Sequence, residues 1–159
     1  MAGVKIYDTA VSPQWIDYNG HLRDGYYTVI FSSAVDALMD RLGLDEAYRT
    51  ASSCTLYTLE MHLHFLHEVK QSDHLTVQVR ILAADRKRIH TALEMYTERT
   101  PDVVATCECM LLHVCQQPEP RGAAFPPQIA AAIEQLRETG ATLSASGPGS
   151  RAMELRSRG

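Results

Sequence analysis

Between Trp15 and Tyr27 the chain reads Trp-Ile-Asp-Tyr-Asn-Gly-His-Leu-Arg-Asp-Gly-Tyr-Tyr, a dense run of polar and aromatic side chains directly ahead of a helical stretch. An acid just upstream of a helix can attack a carbonyl or activate the water beside it. The unpaired N–H groups of the helix start can hold the oxyanion that develops. Asp17 is that acid by type and position, with backbone donors at Asp24, Gly25 and Tyr26. His21 stands where it can polarise the carbonyl or orient the acid. The same spacing also fits an Asx turn closed by Gly20 at positive φ, with His21 merely bonding the turn. Spacing leaves both readings open.

Other chemistries have less support. His62 and His64 share a strand face and His67 follows. A metal site, however, needs further ligands and partners that orient them, and Cys107 and Cys109 alternate onto an apolar face. No metal is expected. The four cysteines contain no CxxC pair, so buried thiols are expected throughout. Lys and Arg number 15 against 19 Asp and Glu, a net charge of -4 that argues against broad nucleic-acid binding. The apolar runs fall far short of the roughly 20 residues that cross a bilayer, and the first residues lack a signal-peptide profile, so a cytoplasmic location away from membranes is expected. A chain of 159 residues can bury a sufficient core without disulfides.

The elements that must position these residues follow from periodicity. Tyr27, Ile30, Phe31, Ala34, Val35, Leu38 and Leu42 recur at spacings of three and four, which predicts a helix from Asp24 to Leu42 with Gly43 as its stop. Asp24 stands at its N-cap or first turn, and a second short helix is expected from Asp45 to about Thr50. Two-residue alternation predicts strands at Leu56–Leu66, His74–Leu82, Arg88–Glu98 and Val103–Cys115, the last after a turn at Thr100-Pro101-Asp102, and a further strand is plausible at Val4–Val11. In the first of these, Leu59, Met61, Leu63 and Phe65 should face the core while Glu60, His62 and His64 face away. Three consecutive strands with short links form an antiparallel meander, and a single long helix requires the sheet to wrap round it. The class is α+β.

A resemblance adds to this reading. Asp17, Gly20, His21 and Tyr27 fit the D-x-x-G-H-x-x-x-x-x-Y signature of the 4-hydroxybenzoyl-CoA thioesterase-like hotdog family. Further blocks, FSSAVDALM, YTLEMHLHFLHEVK, DRKRIH and CECMLLHVC, are similar to its betainyl-CoA thioesterase branch. The match runs from about residue 11 to 115 and departs from many members at Arg23 and Asp24. It implies a hotdog fold, a curved antiparallel sheet around one central helix. It also implies a homodimer or tetramer with sites between subunits, and hydrolysis of an acyl-CoA thioester by the acid matched by Asp17, without a cofactor. A trimethylammonium group in the acyl part would be held by aromatic faces and a carboxylate. Glu60 is the expected carboxylate, with Trp15, Tyr18, Tyr27 and Tyr57 among the rings nearby. Arg86, Lys87 and Arg88 are the expected contacts for the CoA phosphates. Aromatic or medium-chain acyl-CoA substrates, or binding of acyl-CoA without turnover, are the alternatives within the fold.

The hotdog domain is expected to cover residues 1–117. A Pro-rich connection with a polar surface helix over Gln128–Thr139 should occupy 118–140, and a Ser/Gly-rich flexible tail 141–159.

Overall fold

The computed structural model describes residues 3–141. Asp24–Leu42 forms helix α1, because its apolar stripe has a sheet to face: Tyr27, Ile30, Phe31, Ala34, Val35, Leu38 and Leu42 are all buried. Gly43 ends the helix at φ 82°, a left-handed conformation that favours glycine. Its N-cap is Arg23. Asp24 lies in the first turn, where its carboxylate accepts from the Gly25 N–H at 2.8 Å.

Strands β1 (Val4–Ala10), β2 (Cys54–Phe65), β3 (His74–Ala84), β4 (Arg88–Thr97), β5 (Thr100–Cys115) and the short β6 (Arg121–Gly122) follow in chain order. They form one antiparallel sheet of order β1-β3-β4-β5-β2, with β6 on β5. The β3-β4-β5 meander is the expected one. Val77, Val79 and Ile81, Ile89, Leu93 and Met95, and Cys107, Cys109 and Leu111 alternate onto the face that packs on α1. Register shifts in four of the strand pairings bend the sheet over the helix. No helix among the described residues is long and apolar enough to cross a membrane.

Several local expectations change. In β2, a register shift between Thr58 and Glu60 leaves Leu59 as the extra residue of a bulge, 55% exposed, while Met61 and Leu63 face the core. The β4–β5 turn is Glu98-Arg99, since Thr97 already pairs with Thr100, and Thr100–Asp102 begin the strand. Cys54 and Cys115 are joined in a disulfide, because β2 starts opposite the end of β5. Only Cys107 and Cys109 are the buried thiols expected. The short helix α2 is Glu46–Ser52, with Asp45 as its N-cap accepting from the Tyr48 N–H.

Helix α3 (Pro127–Ala141) lies where a polar surface helix is expected, yet one of its faces is not polar. Ile129, Ile133 and Leu136, at i, i+4 and i+7, are buried in the same core as α1, together with Phe125 ahead of the helix. The tail expected beyond it falls outside the described residues. If α3 is part of the core, Ile133→Ala should lower unfolding stability by about 2–4 kcal/mol, while the exposed Gln135→Ala changes it by less than about 0.5 kcal/mol. Urea denaturation of both variants measures this.

Candidate functional site

The segment between β1 and α1 folds into a small loop that closes on itself. The Asp17 N–H donates to the His21 carbonyl at 2.8 Å, the Arg23 N–H to the Trp15 carbonyl at 2.9 Å, and Gly20 takes φ +80° at its tip. Asp17 Oδ1 accepts from the N–H groups of Asn19 at 2.8 Å and His21 at 3.2 Å. The Asx turn is therefore real, and it leaves Asp17 Oδ2 without a partner among the described residues. The two readings of Asp17 are thus compatible: the turn fixes a carboxylate that still has one oxygen to offer.

A second segment, between β2 and β3, docks on this loop. The Leu22 N–H donates to the Val69 carbonyl at 2.8 Å, and His21 Nε2 meets Glu68 Oε2 at 2.9 Å. Lys70 Nζ holds the other oxygen of Glu68 at 3.1 Å. Asp73 anchors the segment. Its carboxylate accepts from the Lys70 N–H at 2.9 Å and from Arg99 Nε and Nη2 at 3.1 and 2.9 Å, while Arg99 also donates to the Glu68 carbonyl at 2.8 Å. The Val11 N–H, at the end of β1, donates to the Asp73 carbonyl at 3.1 Å. One buried residue thus joins three segments: the Asp73 carboxylate ties the β4–β5 turn to the β2–β3 segment, and its backbone carbonyl holds the start of the Asp17 loop.

Between these segments lies an open cavity of about 330 Å³, lined by His21, Leu22, Asp24, Tyr27, Phe65, Leu66, His67 and Glu68. The Tyr27 and Phe65 rings meet edge to face, 5.0 Å between centroids. Asp17 stands behind His21 and does not itself line the cavity. Glu68, Asp73 and Arg99 escape sequence reasoning because an ion pair spanning 26 residues leaves no periodic trace.

The other expected site residues are dispersed. Trp15 stacks on Tyr26 at 5.7 Å beside the Asp17 loop, whereas Tyr18 points into solvent, 95% exposed. Tyr57 lies eight residues from Phe65 on β2, about 26 Å along the strand, so within one chain it is remote from Asp17. Glu60 faces away from α1 and pairs with His62 at 2.7 Å, in a separate cavity with the pair His90–Glu108. Among the described residues, no aromatic ring of Phe, Tyr or Trp lines that cavity. Arg86, Lys87 and Arg88 sit at the β3–β4 turn, ten residues along β3 from its His74 end and about 33 Å along the strand. Arg88 is committed there to Asp85, its Nε 2.8 Å from Oδ2, and this side-chain bond leads the contacts that lower the Asp85 carboxyl to about 2. The oxyanion donors are also partly engaged: the Gly25 N–H by the Asp24 carboxylate and the Tyr26 N–H by the Arg23 carbonyl.

Residues 11–133 match the thioesterase-like superfamily. The chain belongs to this superfamily. It is 47% identical to the betainyl-CoA thioesterase of Pseudomonas aeruginosa over 132 residues, which is 83% of this chain and 82% of that protein. It is 37% identical to the L-carnitine dehydrogenase/betainyl-CoA thioesterase of Agrobacterium fabrum, covering 96% of this chain and 31% of that one. Among solved structures, a Staphylococcus aureus protein in complex with CoA superposes with a TM-score of 0.85 at 28% identity, over 97% and 98% of the two chains. A Pseudomonas putida KT2440 structure does so at 0.86 with 39% identity, over 99% of both. The chain has the hotdog fold, and as a member of this superfamily it is a thioester hydrolase.

The charges of this thioesterase-like site favour ionised acids. Partial burial pushes the Asp17 carboxyl up. The N–H groups of His21 and Asn19, with the charges of His21 and Arg23, outweigh it, so the group lies below the ordinary carboxylate range. Lys70, then His21, lower Glu68. Arg99 lowers Asp73 against its burial, with help from the Lys70 N–H. An acid lowered in the folded state adds stability above its unfolded pKa of about 3.9, and that addition is lost as pH falls through the lowered value. Asp73→Ala should therefore cost about 2 kcal/mol at neutral pH, below the range for a fully buried pair because Arg99 is partly exposed. The difference from the parent chain should shrink below about pH 4, as urea denaturation at several pH values would show.

Proposed function

We propose that the chain hydrolyses betainyl-CoA or a closely related quaternary-ammonium acyl-CoA, with Asp17 as the essential acid. The observation that carries this reading is the 47% identity to the Pseudomonas aeruginosa betainyl-CoA thioesterase across most of both chains. Local geometry supports it. A trimethylammonium group is a soft cation that favours ring faces and nearby carboxylates, and the cavity beside His21 offers Tyr27 and Phe65 with Glu68 and Asp24. This cage replaces the one expected at Glu60.

In the reaction Asp17 either attacks the thioester carbonyl or takes a proton from water that attacks it. Both routes need the carboxylate, which the Asn19 and His21 N–H groups favour. The C–S bond breaks, and the CoA thiolate leaves without a strong general acid; when Asp17 is the nucleophile, water then cleaves the mixed anhydride, releasing the carboxylic acid and restoring Asp17. An oxyanion gains a helix donor when the Asp24 side chain turns off the Gly25 N–H. Arg23 lies in the chain between the lining residues Leu22 and Asp24, and Lys70 is paired with the lining Glu68, so these two are the cations proposed to meet the CoA phosphates.

The site is completed by a second copy of the chain in this reading. Strand β2 forms an edge of the sheet, and its neighbourhood exposes Tyr57, Leu59, Phe65 and Leu66. An edge with open backbone groups and apolar side chains favours pairing. Covering Phe65 and Leu66 would close the cavity wall and bring the partner's residues to it.

The substrate assignment is tested by comparing betainyl-CoA with 3,3-dimethylbutanoyl-CoA, the neutral isostere in which carbon replaces the quaternary nitrogen. Recognition of the cation worth about 1–2 kcal/mol gives a roughly 5- to 30-fold preference in kcat/KM for betainyl-CoA. Equal or faster turnover of the neutral ester, or of benzoyl- or octanoyl-CoA, would remove the betaine reading.

A further inference from the structure

At the end of the sheet opposite the Asp17 loop, β2 begins and β5 ends beneath α2. Cys54 and Cys115 face each other across the ladder and are bonded, and His113, two residues before Cys115, shares their face. One ligating atom from each of these three lies within 4.8 Å of the others. His113 is only 1% exposed, and both its ring nitrogens are engaged. A carbonyl can only accept, so Nδ1 carries the proton that goes to the Ala123 oxygen at 2.9 Å. Nε2 is then the lone-pair nitrogen, and it accepts from the Tyr48 hydroxyl at 2.9 Å. An imidazole whose far nitrogen donates to a backbone carbonyl is oriented as metal-binding histidines are. Two sulfurs and such a nitrogen form a donor set that suits zinc.

We propose that Cys54, Cys115 and His113 bind a thiophilic divalent cation of the zinc type when their disulfide is reduced. A dithiol supplies two electrons and its two protons and becomes a disulfide, or a phosphine supplies two electrons and, with water giving its oxygen and two protons, becomes a phosphine oxide. The S–S bond breaks, and each sulfur takes one of those protons. Binding of the cation then releases both protons as two thiolates ligate. A tetrahedral ion with metal–sulfur bonds of about 2.3 Å sets its ligand atoms roughly 3.8 Å apart, a spread that the present cluster reaches by parting the two sulfurs. The Tyr48 hydroxyl is the group the cation displaces from Nε2. The site lies away from the Asp17 cavity and does not depend on the thioesterase reading. The second cysteine pair, Cys107 and Cys109, has its sulfurs 3.3 Å apart but shares no such cluster with a histidine among the described residues.

Cobalt(II) is the probe, added to the full chain after phosphine reduction and, in parallel, to the disulfide form. The expected result is one cobalt per reduced chain, with sulfur-to-cobalt charge-transfer bands and tetrahedral d–d bands, and none with the oxidised chain. Cys54→Ser and Cys115→Ser should abolish the bands, Cys107→Ser should keep them, and His113→Gln should weaken binding about tenfold or more while shifting the d–d bands. Comparing the oxidised and reduced forms of the unaltered chain decides the matter even if a variant fails to fold. No thiolate band in the reduced chain, an equal band in the oxidised chain, or a band lost only with Cys107→Ser would overturn the proposal.

Discussion

The site depends on one ion pair. The Asp73 carboxylate is buried, and its charge is tolerable there only because Arg99 and the Lys70 N–H together satisfy it. Arg99 comes from the β4–β5 turn and Asp73 from the residue before β3, so the pair fixes where the intervening β2–β3 segment can run. That segment in turn presents Val69 to Leu22 and Glu68 to His21. Asp17 is thus positioned at third hand, through His21, by an interaction on the far side of the cavity. The loop's own hydrogen bonds set its local shape, and the β2–β3 segment docked on Leu22 and His21 sets where that shape sits against the cavity.

The sheet sets the second constraint. Strand β2 leaves α2, crosses to the end of β5 and lies at an edge, so only one of its long sides is paired. Its bulge at Leu59 resets the alternation, and this sends Glu60 and His62 to the face away from α1 while Met61 and Leu63 stay on the core. The same strand ends at Phe65, which lines the cavity together with Leu66 just beyond it. An open apolar edge and an open cavity wall are therefore one feature, which the proposed second copy would cover.

The helix and strands are legible in the sequence because each buries a regular stripe: α1 to the residue, and β1, β2, β3 and β4 to within two at either end. Elements whose regularity is broken are less so. Leu59 reads as core in a strict alternation, and only the bulge exposes it. Helix α3 reads as polar because Ile129, Ile133 and Leu136 alone, among its described side chains, are buried and give a narrow stripe. The site divides in the same way. The Asp17 turn is local, so Asp, Asn and Gly at fixed spacing reveal it. Glu68, Asp73 and Arg99 act across sequence-distant segments and carry no local pattern, while Glu60 and Tyr57 group with Asp17 by residue type but are separated from it by the length of a strand. The disulfide, too, requires knowing that β2 pairs with the far end of β5.

The central claim is that the ionised carboxylate of Asp17, held in its turn by two backbone N–H groups, drives thioester hydrolysis. Asp17→Asn tests it with little structural disturbance, since the amide oxygen can still accept from Asn19 and His21. The decisive measurement is the steady-state hydrolysis of betainyl-CoA by this variant, with thermal unfolding recorded alongside. The account predicts an unchanged fold, a similar KM and a kcat lower by about 10²–10⁴. A folded variant that retains kcat within a few-fold of the parent would contradict it.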